Sequence, residues 1–157
     1  MHDSPLLSTV VMYLTLFMDN YNILSWNVRG LNSRARRDAV RVVVDQERVS
    51  LLCLQETKLN DVNTSLIMNM LGTSFGYEFL PVTESCAGIL FAWRRDLWSI
   101  SDVTCRSFSI TARVAEGAGT SPWWITAVYG PPNDQDKLAF LQELRMCVTH
   151  IRANGSY

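Results

Sequence analysis

From position 21 onward, short apolar runs of strand length alternate with stretches in which apolar residues recur every three or four positions. Ile23, Leu24, Trp26 and Val28 form the first run, and Gly30 stops it. Ser33 then offers an N-cap, and Ala39, Val40, Val43 and Val44 fall at helical spacing, which predicts an amphipathic helix over 34–47. The run SLLCLQET at 50–57 is apolar without alternation, the pattern of a strand buried on both faces of a parallel sheet. Strand, helix and strand in this order predict a βαβ unit, which puts Asn27 and Glu56 at the carboxyl ends of neighbouring parallel strands. Open α/β sheets bind their ligands at that edge.

Further along, Thr64 to Leu71 is compatible with a short helix. Strands are expected at 77–82 and 88–93, around a turn at 83–87. Residues 98–105 and 108–114 alternate apolar and polar positions, as antiparallel strands do. Residues 123–129 are another apolar run, closed by Gly130, Pro131 and Pro132. Asn133 is the expected N-cap of a last helix, on which Leu138, Leu141, Leu144, Val148 and Ile151 share one face. Trp123 and Trp124 should point to opposite faces of their strand, one into the interior and one under that helix.

The N-terminal stretch differs. PLLSTVVMYLTLFM at 5–18 is shorter than the about 20 apolar residues of a membrane span. No basic segment precedes it and no small-residue cleavage site follows, which argues against a signal peptide or anchor. We expect an apolar leader over residues 1–20, outside the domain core, and a domain over 21–157. No membrane partner is expected.

Composition narrows the classes. The chain has 157 residues, the size of one domain, and its 48% hydrophobic and 18% charged residues exclude a disordered chain. Fourteen Lys and Arg against fifteen Asp and Glu exclude a histone-like basic binder, though not a local basic patch. The four cysteines, Cys53, Cys86, Cys105 and Cys147, form no CxxC, so neither a zinc ribbon nor a disulfide scaffold fits. They read as reduced thiols of an intracellular protein.

Three segments place a polar residue at the end of an apolar strand: SWNVRG at 25–30, LQETK at 54–58 and VYGPP at 128–132. Singly, each has an ordinary reading. Asn27 is a turn residue, Glu56 a solvated carboxylate, and Tyr129 a half-buried aromatic with its hydroxyl in water. Taken in order, they resemble the endonuclease/exonuclease/phosphatase family, which includes exonuclease III, apurinic endonucleases, deoxyribonuclease I and inositol polyphosphate phosphatases. The longer segments NILSWNVRGLNS, LLCLQETKL and WWITAVYGPP look most like the endonuclease domain of plant non-LTR, LINE-type retrotransposons.

That resemblance, which covers about residues 21–157, implies an α/β fold. It is the four-layer sandwich of the deoxyribonuclease I-like type, with two packed sheets between outer helices. It also implies a catalytic Mg²⁺ (or Mn²⁺) with Glu56 as ligand, Asn27 beside it, and Tyr129 donating to a phosphate oxygen. The expected partners are DNA and a downstream reverse transcriptase domain, and the expected location is the nucleus. Arg29, Arg34, Arg36, Arg37 and Lys58 are candidate phosphate contacts, since backbone contacts supply most non-specific affinity. Their ordinary reading is a solvated helix face and surface lysine.

Two departures matter. Family members continue with a glycine-aspartate-phenylalanine-asparagine strand and a serine-aspartate-histidine motif, and neither occurs in these 157 residues. His150 stands in for neither, and reads as a helix-surface residue. The expectation is a domain truncated after its first half to two-thirds, with half the catalytic set and several orders of magnitude less rate. A small-molecule phosphatase of the same fold and a non-catalytic remnant are the alternatives. The second departure is Ala87–Gly88, where the family often has two glycines, so a different local turn is expected.

Overall fold

The computed structural model describes residues 11–15, 22–117 and 121–155. The strands are β1 (Val11–Thr15), β2 (Asn22–Asn27), β3 (Val49–Gln55), β4 (Phe75–Leu80), β5 (Ile89–Arg94), β6 (Ser99–Cys105), β7 (Ser109–Ala115) and β8 (Trp123–Val128). The helices are α1 (Arg34–Gln46), α2 (Thr64–Leu71) and α3 (Asp134–Asn154). One sheet has the order β1-β2-β3-β5-β4, the other β6-β7-β8. β2 and β3 are parallel, as the βαβ pattern predicts, while β1 joins β2 antiparallel. The remainder of the apolar leader expected at 1–20, most of the 5–18 run and the expected domain start at Tyr21 lie outside the described residues. No helix among the described residues is long and apolar enough to cross a membrane.

The alternation of side chains along β3 explains the layering. Leu52 and Leu54 point to one side, where they meet Leu24 and Trp26 of β2, Leu90 and Ala92 of β5, and Val40, Val44, Ile67 and Met70 of α1 and α2. Leu51 and Cys53 point to the other, where Ile89 and Phe91 meet Ile110, Ala112 and Val114 of the second sheet. α3 covers the outer face of that second sheet. The order is helices, sheet, sheet, helix: the four-layer α/β sandwich of the deoxyribonuclease I-like type.

Both predicted caps form. The Ser33 side chain accepts from the Arg36 amide at 3.3 Å, and that of Asn133 from the Asp136 amide at 2.7 Å. β4 begins and ends two residues before the expected 77–82. Its register with β5, from Phe75↔Arg94 to Leu80↔Ile89, ends at Pro81, which has no N–H for the ladder. In β6 the alternation breaks at a bulge between Ser101 and Thr104, where Asp102 takes a φ of 50°. Such a bulge blunts an exposed edge strand.

α3 packs by a different face from the one its leucines predict. Leu138, Leu141 and Val148 are 62%, 55% and 47% exposed, whereas Glu143 and Cys147 are buried and Phe140 meets Phe108 edge-on. The cause lies on β7, whose outward side chains Ser109 and Thr111 are buried hydroxyls. They require polar partners: Thr111 finds Thr126 on β8 at 3.0 Å, and Ser109 finds Glu143 from the helix at 2.7 Å. Trp123 and Trp124 divide as expected. Trp123 stands edge-on to Trp98 in the interior, and Trp124 stands edge-on to His150 at 5.5 Å. His150 is therefore half-buried on the sheet-facing side of α3, against Trp124, and not a solvated surface residue.

Candidate metal and phosphate site

Asn27 ends β2 opposite Gln55, the residue before Glu56, in the parallel register. The ladder then continues past both strand ends. The Val28 amide donates to the Gln55 carbonyl at 3.0 Å, Gly30 to Glu56 at 2.6 Å, and Leu31 to Thr57 at 2.8 Å. Two loops that sequence alone treats as separate turns thus form one hydrogen-bonded unit. Gln55 adds to it through a bond from its side-chain amide to the Ser25 hydroxyl at 2.9 Å.

This unit carries unusual backbone. Arg29 (φ 52°), Glu56 (φ 55°) and Lys58 (φ 55°) are left-handed without being glycine. Such conformations cost about 1–3 kcal/mol each and persist only where the surroundings impose them. Their clustering around the one carboxylate that the sequence nominates is a physical mark of a site.

The loop between β4 and β5 closes the other side. The Thr57 amide donates to the Gly88 carbonyl at 3.4 Å, and the Lys58 amide to Ala87 at 2.8 Å. Gly88 has a φ of 96°, and a Cβ there would stand 2.3 Å from the Thr57 hydroxyl. Ala87, in contrast, has no positive φ, so the single glycine suffices and alanine is accommodated. Gly88→Ala combines strained φ with a clash against a buried residue, so we expect about 2–3 kcal/mol of lost stability, checked by urea titration.

Asn27 is half-buried, and its carbonyl oxygen accepts from the Arg29 amide at 3.2 Å. The oxygen fixes the loop, which leaves the side-chain NH₂ as a donor toward a phosphate oxygen. Tyr129 directly follows β8 and is held to the second sheet by its amide, which donates to Phe108 at 2.9 Å. At 7% exposure it is buried, not half in water as its isolated reading suggests. Burial raises its phenol pKa above the ordinary value, and the charges of Glu56, Cys86 and Asp136 raise it further. The structure therefore brings Tyr129 of one sheet within electrostatic reach of Glu56 of the other. At neutral pH the phenol stays protonated and able to donate. Replacing Glu56 by Gln removes a negative neighbour, so the Tyr129 pKa should fall while burial still holds it up. Phenolate absorbance titration, with Tyr129→Phe as the blank, measures this.

The basic candidates separate into three groups. Lys58 is exposed, and its aliphatic stem passes over Gly30, where a Cβ would lie 3.5 Å from its Cδ. Arg29 is exposed on the neighbouring loop. Arg36 donates to the carbonyls of Val28, at 3.1 Å, and Arg29. Arg37 donates to those of Leu31 and Asn32 at 2.7 and 3.0 Å. Both therefore brace the β2–α1 loop. Arg34 points elsewhere, into a cavity along α1.

Sequence reasoning missed Thr57, Gly88 and Asp136 as neighbours of the site, because their proximity is created by the β4–β5 loop and the start of α3. It also missed Glu143, whose signal was present: an acid at helical spacing from Phe140 and Cys147, among apolar residues. All four cysteines are free thiols. Cys53 is the extreme case, its pKa pushed up to about 12 by burial.

The donor set defines what ion fits. Among the described residues no group of three or more His, Cys, Asp or Glu is arranged to hold a metal. That excludes a closed zinc-type cage there. One half-buried carboxylate with a neighbouring carboxamide fits Mg²⁺, which keeps several waters and takes one or two carboxylates. No curated protein sequence matches the chain at a significant level. The sequence profile of the endonuclease/exonuclease/phosphatase family does match, over residues 24–146, from the start of β2 into α3. With that match spanning both sheets and all three positions of the rim, the chain belongs to the endonuclease/exonuclease/phosphatase family, a family of hydrolases of nuclease and phosphatase type.

Proposed function

We propose that the chain hydrolyses phosphodiesters with a divalent metal, Mg²⁺ or Mn²⁺, held at Glu56. We further propose that its substrate is DNA, nicked at the insertion target of a LINE-type retroelement. The observation that supports the reading is the hydrogen-bonded pair of loops that sets Glu56 beside the end of β2, where Asn27 sits, while the charge of Glu56 is felt at the buried Tyr129 phenol of the other sheet. A metal ion there would neutralise charge on the scissile phosphate and its leaving oxygen. The chain's own groups position the phosphate. The Asn27 NH₂ and the Tyr129 hydroxyl donate to phosphate oxygens and fix their direction, and the rigid loop pair holds the donors ready before substrate arrives.

DNA is favoured over a small phosphate ester by the basic residues of the β2–α1 segment and by the resemblance of three segments to LINE-type endonucleases. A reverse transcriptase domain as partner and a nuclear site of action belong to the same reading. Supercoiled plasmid incubated with Mg²⁺ and excess protein should slowly accumulate nicked circles whose ends a polymerase extends. A small phosphomonoester should remain intact. Cleavage of the ester with intact plasmid would transfer the site to phosphatase chemistry.

A further inference from the structure

α1 carries a second cluster of charge that shares Arg37 with the loop-bracing pair. Arg34, Arg37 and Arg41, with Asp38, and Asn69 of α2 line a cavity of about 360 Å³. We propose that this cavity and its rim take two neighbouring backbone phosphates of the nucleic acid strand as it leaves the Glu56 site. The identity of the anion rests on the nuclease reading, whereas the pocket itself does not.

The argument begins with spacing. Positions 34, 37 and 41 are separated by three and four residues and so share one helix face. Three guanidinium groups meet one carboxylate, so the pocket carries an excess of two positive charges. The single ion pair, Arg34 with Asp38, is 3.9 Å long between side chains that are 89% and 63% exposed, and it neutralises little. Arg37 uses one nitrogen on the Leu31 and Asn32 carbonyls and keeps its other donors. Arg41 makes no hydrogen bond or ion pair with another described residue. Like charges at this spacing disfavour the helix unless an anion joins them, and the guanidinium fork suits a phosphate.

Position decides which phosphate. α1 starts just after Leu31, whose amide is bonded to Thr57 beside Glu56, so the pocket continues the rim along the helix. Arg34 and Arg41 are about 10 Å apart along the axis at 1.5 Å per residue. A nucleic acid strand presents a phosphate about every 3.4 Å of its axis, so the arginines can follow consecutive phosphates. Arg41 and Asn69 extend the basic residues of the sequence into a path that only the packing of α1 on α2 reveals.

The test is duplex binding by the full chain, read as fluorescence anisotropy of a labelled DNA over a range of KCl concentrations. Each lost phosphate contact should lower the slope of log affinity against log salt by about 0.9. The double variant Arg34→Gln/Arg41→Gln should lose about two such units and bind all sequences more weakly. Arg41→Lys should keep the slope. Equal slopes for the double variant and wild type, with unchanged thermal melts, overturn the pocket. So does wild-type protein that binds no duplex, or an inorganic phosphate titration that shifts these arginines while duplex does not. The nuclease reading fails separately. If Mn²⁺ does not localise at Glu56 but the arginine variants still lose slope, the pocket stands and the metal site falls.

Discussion

Glu56→Gln will cost the chain its divalent metal. The substitution keeps the size and hydrogen-bonding shape of the side chain and removes only the charge that holds a hard cation. Outer-sphere changes already weaken metal sites by 10–100-fold, so loss of the one carboxylate should weaken binding by about 100-fold or more. Mn²⁺ makes this visible through paramagnetic broadening. In the wild-type protein the amides of Asn27, Glu56 and Arg29 should broaden first, and in Glu56→Gln they should not. Plasmid nicking should fall with metal occupancy by up to about 100-fold at sub-saturating metal, equivalent to about 2.7 kcal/mol of barrier. The same broadening in both proteins would place the ion elsewhere and remove Glu56 from the mechanism.

Glu143→Ala should be the most destabilising of the single changes considered. The Glu143 carboxylate accepts from the Ser107 and Phe108 amides, both at 2.9 Å, and from the Ser109 hydroxyl at 2.7 Å. These bonds tie α3 to the β6–β7 turn from inside a buried layer. Alanine leaves three donors without an acceptor, at about 1–3 kcal/mol for each that water cannot reach. We expect a loss of about 3–5 kcal/mol and a melting point lower by about 10 °C in calorimetry. Glu143→Gln retains an acceptor and should fall between. A melt unaffected by Glu143→Ala would mean that α3 is held by Phe140 and Cys147 alone.

Much of this architecture is legible from local pattern. The β2–α1–β3 unit follows from a 3.6-residue period between two apolar runs, and its parallel pairing fixes Asn27 beside Gln55. Ser33 and Asn133 announce their helices because capping is a property of one side chain and the next turn. What pattern cannot show is which face of a helix wins when the sheet beneath it presents hydroxyls. The leucines of α3 satisfy the helical period, yet the Ser109 hydroxyl and the Ser107 and Phe108 amides draw in Glu143, and Leu138 and Leu141 face water. The candidate site divides in the same way. Glu56, Asn27 and Tyr129 stand out as polar ends of apolar strands. The left-handed backbone at 29, 56 and 58 and the approach of Gly88 to Thr57 arise from pairing between distant loops. The arginines were legible as charge, but not as two sets with different work. Arg36 holds a loop, Arg34 and Arg41 face a cavity, and Arg37 does both.

Glu56 follows a strand of one sheet and Tyr129 a strand of the other, and the core between the two sheets is filled by Phe91 and Ile89 with Ile110 and Ala112. The interior filling therefore acts as the spacer of a calliper whose jaws are a carboxylate and a phenol. Bulk added at Ala112 or removed at Phe91 resets the opening without touching either jaw. Preference among substrates of different girth can thus drift through wholly apolar substitutions far from any reacting atom.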